Sequence, residues 1–177
     1  MASLLTHPVV PAALGVALGR KNTPVAALVL GVFLSMIPDA DVVAFKLGIP
    51  YGDMLGHRGF SHSLLFAATM ALCLCALPRF TAHRGRIFFF LFISAASHGL
   101  LDAMTSGGMG VGFFIPFTAD RYFLPLRPIR VSPLSVKGFF TGRGWVIFQS
   151  ELLWIWLPCT AIALAGILWR RSVKARV

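Results

Sequence analysis

The chain has 177 residues, 57% of them hydrophobic and only 12% charged, with a mean hydropathy of +0.80. Soluble domains average roughly 45–50% apolar and about 25% charged, so a water-soluble globule is excluded and one membrane-embedded domain over residues 1–177 is expected. The net charge of +10, from 16 Lys and Arg against 6 acids, then points to anionic lipid as partner rather than nucleic acid, for which no recognition signature occurs.

Five apolar segments follow one another. The first covers about residues 4–19 and closes on Arg20-Lys21-Asn22; no positive region precedes it, so a cleavable signal peptide is not expected. Pro24 opens the second, which Pro38 stops after residue 37. The third runs over about 63–77, the fourth over 87–103 and the fifth over 145–169. Crossing about 30 Å of hydrocarbon takes roughly 20 helical residues, which only the fifth meets comfortably. Residues 105–144, rich in Gly and Pro, read as a long irregular loop, extended or partly re-entrant. The fold expected is all-α: an integral membrane bundle of about five short hydrophobic helices. Cys73, Cys75 and Cys159 lie in apolar runs without zinc-ligand or disulfide spacing and read as packing residues.

The scarce polar groups are not scattered. His7 starts the first segment, Asp39 and Asp41 (IPDAD) follow the second, and His57 and His62 (HRGFSHS) precede the third. His98 and Asp102 (SHGLLD) close the fourth, and Glu151 lies near the start of the fifth. If the segments alternate in direction, all eight share one side of the membrane. A carboxylate at membrane depth costs at least roughly 2.5–3.5 kcal/mol, so such a gathering needs compensating charge. A divalent metal supplies it, and His with carboxylate is a ligand set it accepts. His98 and Asp102 are one helical turn apart on one face; Asp39 and Asp41 have the spacing of a pair that bridges two ions; Gly59 suggests a turn that lets Ser61 cap the third helix while His62 faces inward. Each motif alone is weak and also fits structural hydrogen bonding or a turn, and only the joint placement argues for metal.

THP, PDAD, HRGFSHS and SHGLLD in this order resemble the YdjM-type family of bacterial inner-membrane proteins, over about residues 6–105. The resemblance implies a metal-dependent hydrolase. That family is in turn distantly similar to zinc-dependent phospholipase C and related zinc nucleases, through the HxxxD pair His98 and Asp102 alone.

The reaction this suggests is phosphoester hydrolysis on lipids or lipid-linked substrates. Zinc is the expected cofactor, manganese the alternative, with two or more ions possible; a pair would sit about 3.5–4 Å apart and clamp a phosphate. His7, His57, His62, His98, Asp102 and Glu151 join Asp39 and Asp41 as expected ligands. Asp39, Asp41 and Arg58 are the candidate catalytic residues: the acids as bridges or proton acceptors, Arg58 on a phosphate oxygen or else snorkelling to headgroups. Arg121, Arg127, Arg130, Lys137 and Arg143 could gather anionic headgroups or serve as ordinary anchors at the membrane interface. A phosphohistidine lipid phosphatase is set aside, because Leu91 and Phe92 stand where its SR pair belongs. The competing reading is a non-enzymatic membrane protein with a structural metal site, or a metal carrier; no protein partner is implied. Placing the site outside puts Arg20, Lys21, Arg79, Arg84, Arg86, Arg170, Arg171, Lys174 and Arg176 in the cytoplasm with the C-terminus, in keeping with the positive-inside rule.

Overall fold

Prolines set most helix ends. In the computed structural model, which describes residues 1–133 and 142–175, α1 spans Val9–Leu18 behind Pro8 and α2 spans Val25–Leu34 behind Pro24. Pro38 does not stop the second segment: it sits in a 3-10 turn, Ile37–Val42, that passes into the short α3, Val43–Lys46. A residue with no N–H and a fixed φ fits a first helical turn as well as a helix end. Pro78 likewise opens a 3-10 turn, Pro78–His83, that feeds α5, Arg84–Ala103. The third segment is α4, Leu64–Cys75. The fifth is one long helix, α6 (Gly142–Glu151) and α7 (Leu157–Lys174), joined through a π-helical turn at Leu152–Trp156. Pro158 accounts for that turn, since it cannot donate to the carbonyl four residues back. The bundle is all-helical, with no strand among the described residues.

These extensions correct the expectation that only the fifth segment spans. Three stretches are long and apolar enough to cross a bilayer: Val25–Lys46 (22 residues), Pro78–Ala103 (26 residues) and Arg143–Lys174 (32 residues). Between lipid-facing helices, small residues that let backbones approach replace hydrophobic burial as the main attraction. Thus Ala67, Ala71 and Cys75, one turn apart on α4, are buried where α4 packs on α5. On the other side α1 packs on α7, and a Cβ on Gly166 would stand 2.5 Å from Ala17 Cα. Cys75 and Cys159 are buried as expected, while Cys73 is exposed on the outer surface of α4.

The basic ends meet at one pole. Arg86 donates to Asn22 Oδ1 at 2.8 Å, and Arg170 donates to the Ala17 carbonyl. The opposite pole is capped by residues 105–133, tied to the end of α5 by Leu124 N–H on Ala103 O (3.0 Å) and Ile129 N–H on Met104 O (3.2 Å). Two isolated bridges, Thr105 with Ile129 and Val111 with Tyr122, are its nearest approach to strands. The helix after the loop begins at Gly142, slightly before the expected limit of 144. Lys137 and Arg176 lie outside the described residues.

Candidate metal centre

The capped pole holds the histidines. The 3-10 turn after α2 turns Asp39 into the bundle, and the last turn of α5 presents His98 and Asp102 on one face. Arg58 has φ +61°, and next to it a Cβ on Gly59 would stand 2.3 Å from Met54 O. This tight bend sets His62 in a short 3-10 turn, Phe60–His62, ahead of α4. Ser63, not Ser61, caps α4: its Oγ accepts from Phe66 N–H at 3.0 Å, because its extended backbone directly precedes the first helical residue.

Asp39, His62, His98 and Asp102 each offer a donor atom within 4.8 Å of the others, and all four residues are buried. His98 Nε2 lies 3.3 Å from Asp39 Oδ1, and His62 Nε2 lies 4.0 Å from the same oxygen and 3.7 Å from Asp102 Oδ2. His7 stacks on His98 with ring centroids 3.7 Å apart, its Nε2 3.9 Å from both Asp39 Oδ2 and Asp102 Oδ1. Both oxygens of Asp39, both ring nitrogens of His7, Nε2 of His62 and of His98, and Oδ2 of Asp102 have no hydrogen-bond partner. Buried polar atoms are rarely left unpaired, because each costs on the order of 1–3 kcal/mol. A cation among them would satisfy most of this set at once, and the donor set fits one.

The far sides of the same residues are held firmly. His98 Nδ1 lies 2.7 Å from the Ser35 carbonyl; a carbonyl only accepts, so Nδ1 carries the proton and Nε2 keeps its lone pair for the interior. His62 Nδ1 lies 3.0 Å from Ser61 Oγ, which gives its own proton to Asp41 Oδ2 and so accepts from Nδ1, fixing the same tautomer; Asp41 Oδ2 itself is 3.1 Å from Nδ1. Ala2 N–H donates to Asp102 Oδ1 at 2.7 Å.

Asp41, His57 and His62 form a second group close enough to hold an ion, but its oxygens are already occupied. His57 Nδ1 stands 2.6 Å from Asp41 Oδ1, while Arg58 N–H (3.0 Å) and Ser61 Oγ (2.7 Å) donate to Oδ2. Asp39 and Asp41 therefore face different groups rather than bridging one pair of ions, as their spacing had suggested. Asp41 orients His57 and His62 from behind.

Three expectations are corrected. Arg58 reaches neither headgroups nor an open phosphate position. Its guanidinium is fully buried, with Nε 3.0 Å from Asp102 Oδ2, though not aligned as a hydrogen bond, and donors on Gly107 O (3.0 Å) and Thr105 Oγ1 (3.1 Å). Glu151 joins neither group: it accepts from Ser3 N–H (2.5 Å), Ser3 Oγ (2.6 Å) and Thr6 Oγ1 (2.8 Å), and so fastens the segment before His7 to the last helix. Arg121 is drawn inward, donating to the carbonyls of His57, Tyr51 and Asp53, whereas Arg127, Arg130 and Arg143 are exposed. The Ser35 carbonyl and Thr105, which the motifs did not single out, complete the supports; a backbone carbonyl leaves no mark in a sequence.

Replacing Glu151 with Ala is expected to destabilise the purified protein by about 2–3 kcal/mol, since three buried donors lose their acceptor. Thermal unfolding in detergent reads this, with metal content staying within twofold of wild type because none of the four inner donors is touched.

A sequence profile described as YdjM inner membrane protein matches residues 1–176, beyond the 6–105 over which the motif resemblance runs. The inner membrane protein YbcI of Escherichia coli (strain K12) is 43% identical over 173 residues, 97% of this chain and 99% of that protein. No solved structure matches.

Proposed function

The chain belongs to the YdjM family of inner membrane proteins, and from that premise we propose that it is a membrane-bound, metal-dependent hydrolase acting on phosphoesters of lipids or lipid-linked molecules. The observation that carries the reading is the set of unpartnered lone pairs of His7, Asp39, His62, His98 and Asp102, buried and turned toward one another.

Asp39, His62, His98 and Asp102 would hold one divalent ion, zinc suiting mixed nitrogen and oxygen donors, with His7 as a fifth donor. Such an ion supplies Lewis-acid chemistry, polarising a phosphoryl oxygen and acidifying water. The chain's own part is to aim the donors: Ser35 O and Asp41 fix the tautomers of His98 and His62, and Arg58 balances one buried negative charge. The basic pole opposite the site supports a cytoplasmic C-terminus and an extracytoplasmic site.

Metal analysis of protein purified without chelator, followed by hydrolysis of phospholipid vesicles and of a soluble phosphodiester with and without chelator, tests the proposal. The expected result is near-stoichiometric metal and hydrolysis lost on chelation. Metal far below stoichiometry, or hydrolysis indifferent to chelator, would refute it. One observation favours a second reading: four buried donors from three segments can close a tetrahedral shell, as a structural staple does. Stoichiometric metal that raises stability without any hydrolysis would select it.

A further inference from the structure

Helix lengths fix how deep the centre lies. α1 starts two residues after His7 and has 10 residues; α4 starts two residues after His62 and has 12. At 1.5 Å per residue these measure roughly 15 and 18 Å, and in α5 the interval from Arg86 to His98 is about 18 Å by the same arithmetic. The far ends of all three carry the basic clusters, Arg20 and Lys21, Arg79, Arg84 and Arg86, which belong at a headgroup surface. Tilt only shortens the depth these helices cover. The hydrocarbon is about 30 Å thick, so on the order of 10 Å of it remains beyond the donors.

Two independent features fill that remainder. The last helix passes the level of the N-terminal segment at Glu151, which bonds Ser3 and Thr6, and continues outward through α6 for 10 residues, roughly 15 Å, with Trp145 and Val146 exposed. The loops over the centre expose large apolar side chains that a water-facing loop would hide: Phe117 is 81% exposed, Leu47 73% and Leu55 62%. Non-helical backbone at membrane depth must find its partners within the protein. That condition is met: Arg58 O accepts from Gly112 N–H and Phe113 O from Leu64 N–H, while Arg121 spans three carbonyls.

We propose that the centre lies inside the bilayer, below the headgroups of its own leaflet, and that the loops holding Leu47, Leu55 and Phe117 form a cap immersed among acyl chains. Asp53 and Asp120, both exposed, would then lie at the headgroups, on the outer rim of that cap. The depth rests on geometry alone. Its consequence for substrate rests on the hydrolase reading: the molecule cleaved is a membrane lipid arriving sideways from the leaflet, not a water-soluble phosphoester.

Spin labels test the depth. In a Cys73→Ala background, Leu55→Cys, Phe117→Cys and Asp120→Cys are labelled with a nitroxide and the protein is reconstituted in phosphatidylethanolamine–phosphatidylglycerol vesicles. Labels at 55 and 117 are expected to collide with oxygen more than with a water-soluble nickel chelate, and the label at 120 the reverse. Labels at 55 and 117 that favour the nickel chelate would overturn the proposal. Should the background fail to fold, Phe117→Trp with all cysteines kept gives the same reading: its added emission is quenched by bromine on acyl chains if the cap is immersed, and by iodide if it is not. Immersed labels with no hydrolysis would remove the hydrolase and leave the depth standing; aqueous labels with chelator-sensitive hydrolysis would do the opposite.

Discussion

Replacing His62 with Ala is expected to reduce bound metal to below about a tenth of wild type and hydrolysis by more than the roughly 100-fold upper range for losing an orienting partner. His62 is the one residue common to both donor groups. Its Nε2 faces Asp39 and Asp102 while its Nδ1 faces Asp41, so truncation removes an inner donor and leaves Asp41 short of a partner together. Asp41→Asn gives the contrast: it loosens the support of His57 and His62 without removing an inner donor, and a 10–100-fold loss is expected, with metal still detectable. Metal content by mass spectrometry and hydrolysis of phospholipid vesicles measure both variants, and circular dichroism confirms that each is folded. His62→Ala protein that holds metal at the wild-type level would exclude the inner group as the binding site.

The pole at which the site forms was legible because the membrane makes ionisable groups expensive. Among so many apolar residues, His7, PDAD, the HRGFSHS histidines and SHGLLD could be placed at alternate segment ends by direction alone, and the structure brings His7, Asp39, His62, His98 and Asp102 together. What spacing could not disclose is which way each group turns. Asp39 and Asp41 lie in a 3-10 turn, where side chains two apart point in different directions, so one carboxylate enters the centre and the other supports it from outside. Glu151 has the right depth, but the chain before His7 presents N–H and O–H donors closer to it than any histidine. Span lengths are hidden from the sequence where a proline, as at Pro38 and Pro78, marks a change of helical type instead of an end. Long cationic side chains usually bind phosphate or snorkel, which is what the sequence suggests for Arg58 and Arg121; here carbonyls left over by the irregular loops claim both.

Arg58 carries the second large expectation. Its guanidinium is buried, touches Asp102 through Nε, and donates to Gly107 O and Thr105 Oγ1, so it supplies positive charge in a part of the protein that water does not reach. Removing one partner of a buried ion pair typically costs about 3–5 kcal/mol, because the charge left behind has no compensation. Arg58→Met should therefore lower the midpoint of thermal unfolding by roughly 6–20 °C, at 2–4 °C per kcal/mol for a chain of this size. Arg58→Lys should recover only part of this, as a point charge cannot serve Asp102, Gly107 O and Thr105 Oγ1 at once. The cause can be separated from lost packing in two ways. Neutralising the stranded carboxylate, in Arg58→Met/Asp102→Asn, should return stability but not metal. Loading Arg58→Met with zinc should shrink the deficit, since the ion takes over the charge balance that the guanidinium provided. An equal deficit in metal-free Arg58→Met and in the double variant would mean that the arginine is held for its shape, and that Asp102 does not depend on its charge.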